Sequence, residues 1–84
     1  MSYPYQQSEI ELAVMAELKK AMKKFPKFNS AHEGYAVLKE EVDELWDVIK
    51  LKGSTPRMME GEAIQVAAMA MRFLHDVCGM EILD

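Results

Sequence analysis

The sequence predicts an all-α protein in which a three-helix protomer packs as an oligomeric helical bundle. Three segments carry apolar residues at the 3,4 spacing of a helix, and each opens on an N-cap residue, Ser8, Ser30 or Thr55. No internal repeat or long linker divides the chain, so residues 1–84 are expected to form a single helical domain. A chain of 84 residues hides only about 60% of its unfolded surface, which favours a partner subunit.

The first helix is predicted between Ser8 and Pro26. Ser8 followed by Glu11 is a capping-box pattern, and apolar residues recur at helical spacing until proline ends the segment. Half of the ten cations gather at its end, namely Lys19, Lys20, Lys23, Lys24 and Lys27. This run is either a solvated helix C-terminus, which favours cations, or a patch that attracts an anionic substrate.

The second helix is predicted from Ser30 to Gly53 and carries two neighbouring stripes. The first stripe is wholly apolar and consists of Tyr35, Leu38, Val42, Leu45 and Ile49. In the second stripe the carboxylates of Glu41 and Glu44 interrupt a row of apolar residues. A buried carboxylate is costly unless it is paired, protonated or bound to a metal. These two glutamates therefore either bind a cation or, at the edge of the bundle, pair with lysines of another subunit.

The third helix is predicted to begin with Thr55 as N-cap and to end with Gly79 at C′. Between Ala63 and Leu74 its only polar side chains are Gln65 and Arg72. Nearly its whole circumference should then be covered, which places it at the centre of an oligomeric bundle.

Glu62 stands just before that apolar run and repeats the anomaly of the second helix. Carboxylates alone, without histidine or cysteine, suit a hard cation such as Mg²⁺ or Mn²⁺ better than zinc. The sequence therefore indicates a buried acidic Mg²⁺ site built from Glu41, Glu44 and Glu62.

Charge and composition exclude several classes of protein. A net charge of −4 argues against nucleic-acid binding, and no apolar run is long enough to span a membrane. The lone Cys78 permits neither an intramolecular disulfide nor a cysteine-rich zinc site. Without a signal-peptide pattern, a cytoplasmic protein is expected.

The acidic motifs match a family in order and spacing. Glu41-Val42-Asp43-Glu44-Leu45, followed eighteen residues after Glu44 by Glu62-Ala63-Ile64-Gln65, resembles the Glu-x-x-Glu and Glu-x-x-Asp pattern of the MazG-like all-α nucleoside triphosphate pyrophosphohydrolases. The stretch 32–41 also looks like the entry to helix two of small members, and the resemblance covers residues 29–77.

This resemblance implies a homo-oligomer, a dimer or a tetramer, that cleaves a nucleoside triphosphate to the monophosphate and pyrophosphate. By position, Glu41, Glu44 and Glu62 would be the catalytic metal ligands, and Gln65 would occupy the place of the aspartate. A neutral amide can coordinate a divalent ion through its carbonyl oxygen, but it adds no charge and cannot act as a base. Glu40 or Asp76 is then an alternative source of a fourth acid.

Substrate contacts are less constrained by the sequence. Trp46 can stack on a base, and Lys50 and Arg72 can reach phosphates, although each also fits a core edge or a solvated surface. Two other functions stay open: a catalytically impaired nucleotide- or metal-binding protein, for which Gln65 would be the sign of lost activity, and a helical interaction module without a ligand site.

Overall fold

The computed structural model describes residues 8–82, so residues 1–7 and 83–84 of the predicted domain lie outside it. The described part is all-helical, with α1 at Glu9–Lys24, α2 at Ala31–Lys50 and α3 at Pro56–Asp76, and it contains no strand. Three helices at the predicted positions are thus confirmed. None of them is long and apolar enough to cross a membrane within residues 8–82.

The predicted caps set where the helices begin. Ser8 and Glu11 form the full capping box at the start of α1, with both hydrogen bonds at 3.1 Å. The Ser30 side chain accepts from the Glu33 N–H at the start of α2, and Thr55 does the same for α3 with the Met58 N–H. Each side chain satisfies one of the N–H groups that a first turn leaves without a partner.

The helix ends differ slightly from the predicted ones. Helix α2 ends at Lys50, before the Gly53 turn, whose φ is 84°. Helix α3 ends at Asp76 with Val77 as C-cap, so Gly79 is not the C′ residue. Gly79 nevertheless has a φ of 76°, and its N–H donates to the His75 carbonyl at 3.2 Å. Helix α3 therefore ends one residue earlier than predicted, and the left-handed Gly79 turns the chain just beyond that end.

Helix α3 is the central element, because α1 and α2 both pack on it and make no comparable approach to each other within residues 8–82. The buried apolar residues are few: Val14, Leu18, Phe28, Ala68 and Met69. Helix α2 approaches α3 most closely at Gly34, where an added Cβ would lie 2.7 Å from the Phe73 ring. Since α1 and α2 diverge over α3, they leave a groove between them.

Helix α2 turns the side that carries Gly34, Val37 and Leu38 toward the core. Gly34 is buried and Val37 is half-buried, whereas Tyr35 and Val42 of the wholly apolar stripe are 62% and 45% exposed. On α3, too, burial in the protomer is partial, and Leu74 is 44% exposed. Leu38 of the first stripe packs against the core, and Tyr35, Val42 and Ile49 of that stripe are left as an apolar outer face of α2.

Candidate metal site and adjoining groove

Helices α2 and α3 bring the three predicted carboxylates together. Glu41, Glu44 and Glu62 each place one carboxylate oxygen within 4.8 Å of the oxygens of the other two. We refer to them as the three-carboxylate cluster. The antiparallel packing of α2 on α3 explains the arrangement, because Glu41 and Glu44 are separated by one helical turn and the short 51–55 connection returns Glu62 to the same level.

The cluster is less buried than expected. Glu41 and Glu62 are half-buried, whereas Glu44 is exposed. An α-helix advances about 100° per residue, so Glu44 lies about 60° around α2 from Glu41, at the edge of the contact with α3. In the protomer the cluster is therefore only partly buried, and it opens to solvent on the side of Glu44.

Crowding of like charges is strongest at Glu41. Partial burial raises the pKa of Glu41 to about 7, and the negative charges of Glu44, Glu62 and Glu40 add to the effect. Glu44 also forms a side-chain hydrogen bond that favours the protonated form of Glu41. At neutral pH the Glu41 carboxyl group is therefore partly protonated. A bound divalent cation would relieve the same repulsion.

A groove adjoins the cluster at Glu41. It consists of two adjoining hollows of about 320 and 200 Å³, which share Ala21, Phe25 and Gln65 as lining residues. Helix α3 forms the floor of both hollows. Residues of α1 and α2 form the walls of the larger one, whereas the smaller one is walled by α1 and Phe25 alone among the described residues. A groove of this size, apolar with a few polar groups, is suited to a small organic ligand beside the acids.

The closed end of the groove is made by the loop between α1 and α2 and by Arg72. The guanidinium of Arg72 lies 4.0 Å from the Phe28 ring centroid and 5.6 Å from that of Phe25. It also donates to the Pro26 carbonyl at 2.8 Å. Phe25 and Phe28 are pocket-lining residues that sequence analysis did not identify as such; their signal was the Phe-Pro-Lys-Phe break, which indicates only that a helix ends.

Asp76 completes this closed end and does not join the metal candidates. Its side chain is only 2% exposed, lies 3.4 Å from Arg72 and 2.7 Å from His75, and accepts from the Phe28 N–H at 3.2 Å. Burial alone would raise the pKa of Asp76, but the hydrogen bonds from His75 and Phe28 and the charge of Arg72 lower it. Asp76 is thus an ionised structural partner of Arg72.

Gln65 lies on the floor of the groove, which Glu41 also lines. Its Nε2 donates to the Glu17 carboxylate of α1, so the amide is oriented by α1. Glu40, the other predicted source of a fourth acid, is exposed and is not part of the three-carboxylate cluster. The structure therefore places Gln65 in the hollow that Glu41 also lines, and it leaves Glu40 and Asp76 outside the three-carboxylate cluster.

The proposed substrate contacts separate in the same way. Arg72 lines the groove, but its guanidinium already contacts a carbonyl, a carboxylate and two rings. Trp46 is 56% exposed, with the Lys50 ammonium 5.7 Å from its ring, and Lys50 lies 3.5 Å from Asp47. Both residues lie about 140–180° around α2 from Glu41 and do not line the groove.

Comparison with known proteins adds no assignment: no protein-family model, curated protein or solved structure matches the chain significantly.

Proposed function

We propose that this protein is a Mg²⁺-dependent nucleotide pyrophosphohydrolase that cleaves a nucleoside triphosphate to the monophosphate and pyrophosphate. The observation that carries the proposal is the convergence of Glu41, Glu44 and Glu62, each with an oxygen within 4.8 Å of the others. The resemblance of the same residues to the MazG-like motifs supports it, as does the adjoining groove.

The donor set fits a hard divalent cation. Three carboxylates offer only oxygen ligands, and their partial exposure leaves room for water molecules, which Mg²⁺ retains in most protein sites. Glu41, Glu44 and Glu62 would hold the ion. When bound, Mg²⁺ would neutralise phosphate charge and increase the acidity of an attacking water.

The residues of the chain prepare this site in defined ways. Glu41 holds a proton on its carboxyl group near neutral pH and releases it when the charge of the cluster is compensated. Phe25 and Phe28 give the groove apolar walls that limit the access of water, and Phe25, which is 50% exposed, offers a ring on which a base can stack. Glu17 orients the amide of Gln65 beside Glu41.

The proposal includes self-association as a dimer or tetramer in the cytoplasm, with no nucleic acid or membrane as partner. The apolar outer face of α2 supports this step, because Tyr35, Val42, Trp46 and Ile49 are 43–62% exposed in the protomer. Apolar surface of this extent along one helix is typical of a contact between subunits.

Pyrophosphate release from a panel of nucleoside triphosphates, with and without Mg²⁺, tests the activity. Glu41→Gln should abolish release, whereas Glu40→Gln, which removes the same charge from an exposed position outside the cluster, should retain it. Equal activity of both variants would show that the cluster is not the catalytic site.

A nucleotide or metal binder without turnover is the second candidate. It is favoured by one observation, the neutral Gln65 held by Glu17 where the related motif has an acid. If Gln65 weakens a working site, Gln65→Asp should tighten Mg²⁺ binding and raise the rate most at low Mg²⁺. Superimposable Mg²⁺ titrations of the two proteins would remove Gln65 from the site, and metal binding without pyrophosphate release in either would establish the second candidate.

A further inference from the structure

The lysine run of α1 divides between two faces of the helix. Lys20 and Lys24 line the smaller hollow of the groove together with Gln65. Lys19 and Lys23 line a separate hollow beside His75, on another side of α1. The two lysines of each pair are four residues apart, and one pair is rotated by about 100° around the helix from the other. Only one pair therefore faces the groove.

The two hollows of the groove differ in the charge of their lining. Glu33 and Glu41 line the larger hollow on the side of α2, whereas Lys20 and Lys24 line the smaller hollow together with Glu17 of α1. The Lys20 ammonium lies 3.8 Å from the Glu17 carboxylate, and its side chain is 75% exposed. An exposed pair at this distance contributes little stability, so the ammonium can turn to another anion.

Lys24 is held in a similar position by a weak contact. Its ammonium lies 5.4 Å from the centroid of the Phe25 ring, and Phe25 lines both hollows. A cation–π contact at an exposed site contributes about 0.5–1 kcal/mol, less than a charge-assisted bond to a phosphate oxygen. Both lysines therefore stand at the rim with their ammonium groups available to a ligand.

We infer that Lys20 and Lys24 bind the polyphosphate chain of the substrate at the smaller hollow, beside the larger hollow that Glu41 lines, an inference that rests on the proposed function. A triphosphate carries several negative charges, and the acidic α2 wall alone would repel it. A lysine ammonium has three donors on a flexible stem, which suits phosphate oxygens at a rim. The two lysines supply positive charge on the α1 side of the groove, whereas the cluster on α2 and α3 supplies negative charge.

The test compares two double variants with the same change of charge. Lys20→Gln with Lys24→Gln removes the pair in the groove, and Lys19→Gln with Lys23→Gln is the matched control on the other face. Inorganic tripolyphosphate is the probe, and its binding is measured by titration calorimetry with and without Mg²⁺ at two salt concentrations. Circular dichroism checks that each variant is folded, as expected for substitutions of surface lysines.

Substitution of Lys20 and Lys24 should raise the dissociation constant for tripolyphosphate about tenfold. Substitution of the control pair should raise it less than about twofold. Added salt should weaken tripolyphosphate binding by the wild-type protein and by the control more than binding by the groove variant. The reason is that salt screens the two exposed lysine charges that the groove variant lacks. An equal loss in both double variants would mean a diffuse attraction by α1 and would overturn the inference. No loss in the groove variant, or no binding by the wild-type protein, would overturn it as well.

The proposed function is tested by a separate assay, pyrophosphate release by the Glu41→Gln variant. If Glu41→Gln leaves Mg²⁺-dependent pyrophosphate release unchanged while the groove lysines still control tripolyphosphate binding, the metal-site proposal fails and the lysine inference stands. If the Glu41 variant is inactive and the two lysine pairs behave alike, the metal-site proposal stands and the inference fails.

Discussion

Replacing Glu41 by glutamine should make the metal-free protein more stable, although it removes a charged residue from the proposed active site. In the native protein Glu41 is half-buried and lies beside Glu44 and Glu62, with Glu40 adding to the negative potential. These neighbours all disfavour the ionised form. Glutamine keeps the size and hydrogen-bonding capacity of the side chain and removes only the charge.

The magnitude follows from the pKa of Glu41, which rises from 4.5 to about 7 in the native protein. A group with a raised native pKa destabilises the fold where it is ionised, so the cost is absent below pH 4.5 and complete above pH 7. At alkaline pH it amounts to at most about 3 kcal/mol, and exposure to solvent reduces it toward about 1 kcal/mol. The apo protein should therefore lose stability as the pH rises through this window.

Denaturant unfolding in the presence of a chelator, at pH 5 and at pH 8.5 and at one protein concentration, checks this. Glu41→Gln should exceed the wild-type protein by about 1–3 kcal/mol at pH 8.5 and by about a quarter of that difference at pH 5, which lies just above the unfolded-state pKa of 4.5. Glu40→Gln, the exposed control, should change stability by less than about 0.5 kcal/mol at either pH. Destabilisation by Glu41→Gln at pH 8.5 would refute the reasoning, because it would identify Glu41 as a structural ion-pair partner.

Three further predictions concern the scaffold. Light scattering should find an oligomer for the wild-type protein and a smaller species for Val42→Glu. The stability of the wild-type protein in denaturant unfolding should rise with protein concentration. A stable 9.6 kDa monomer of the wild-type protein at micromolar concentration would contradict this. Asp76→Asn should cost about 3 kcal/mol in denaturant unfolding at pH 7 by leaving Arg72 with an uncompensated charge, and, since the native pKa of Asp76 is lowered, that stabilisation should be present above pH 3.8 and be lost as the pH falls through the native pKa. Gly34→Ala should raise helix propensity by about 1 kcal/mol yet lower the melting temperature, because its Cβ would lie 2.7 Å from the Phe73 ring and overpacking costs about 1–3 kcal/mol.

The helices could be predicted closely because their signals are local. A capping box such as Ser8 with Glu11 acts within one turn, and Pro26 ends a helix through its own ring. The end of α3 was less accurate, since the left-handed Gly79 indicates a turn without fixing the residue at which helical hydrogen bonding stops.

The three-carboxylate cluster was also accessible from the sequence, because an acid in an apolar row is an anomaly that spacing alone reveals. What the sequence could not show was how far each acid is covered. Glu44 is exposed because α2 meets α3 along Gly34 and Val37, and the angle of that contact depends on the absence of a side chain at Gly34. Tyr35 and Val42 are exposed for the same reason, because a helix that packs on one neighbour buries only one face.

Arg72 shows how a tertiary contact changes the meaning of a residue. Its ion pair with Asp76 joins residues four apart within α3, whereas its contacts with Pro26 and Phe28 come from a loop 44–46 residues earlier in the chain. These contacts engage the guanidinium in closing the groove. A phosphate group bound there would have to compete with a buried carboxylate 3.4 Å away, so positive charge for a polyphosphate must come from residues that are not already paired in the interior. Among the residues that line the groove, the exposed lysines of α1 meet that condition. We therefore propose that these lysines bind the phosphates and that Arg72 stabilises the groove.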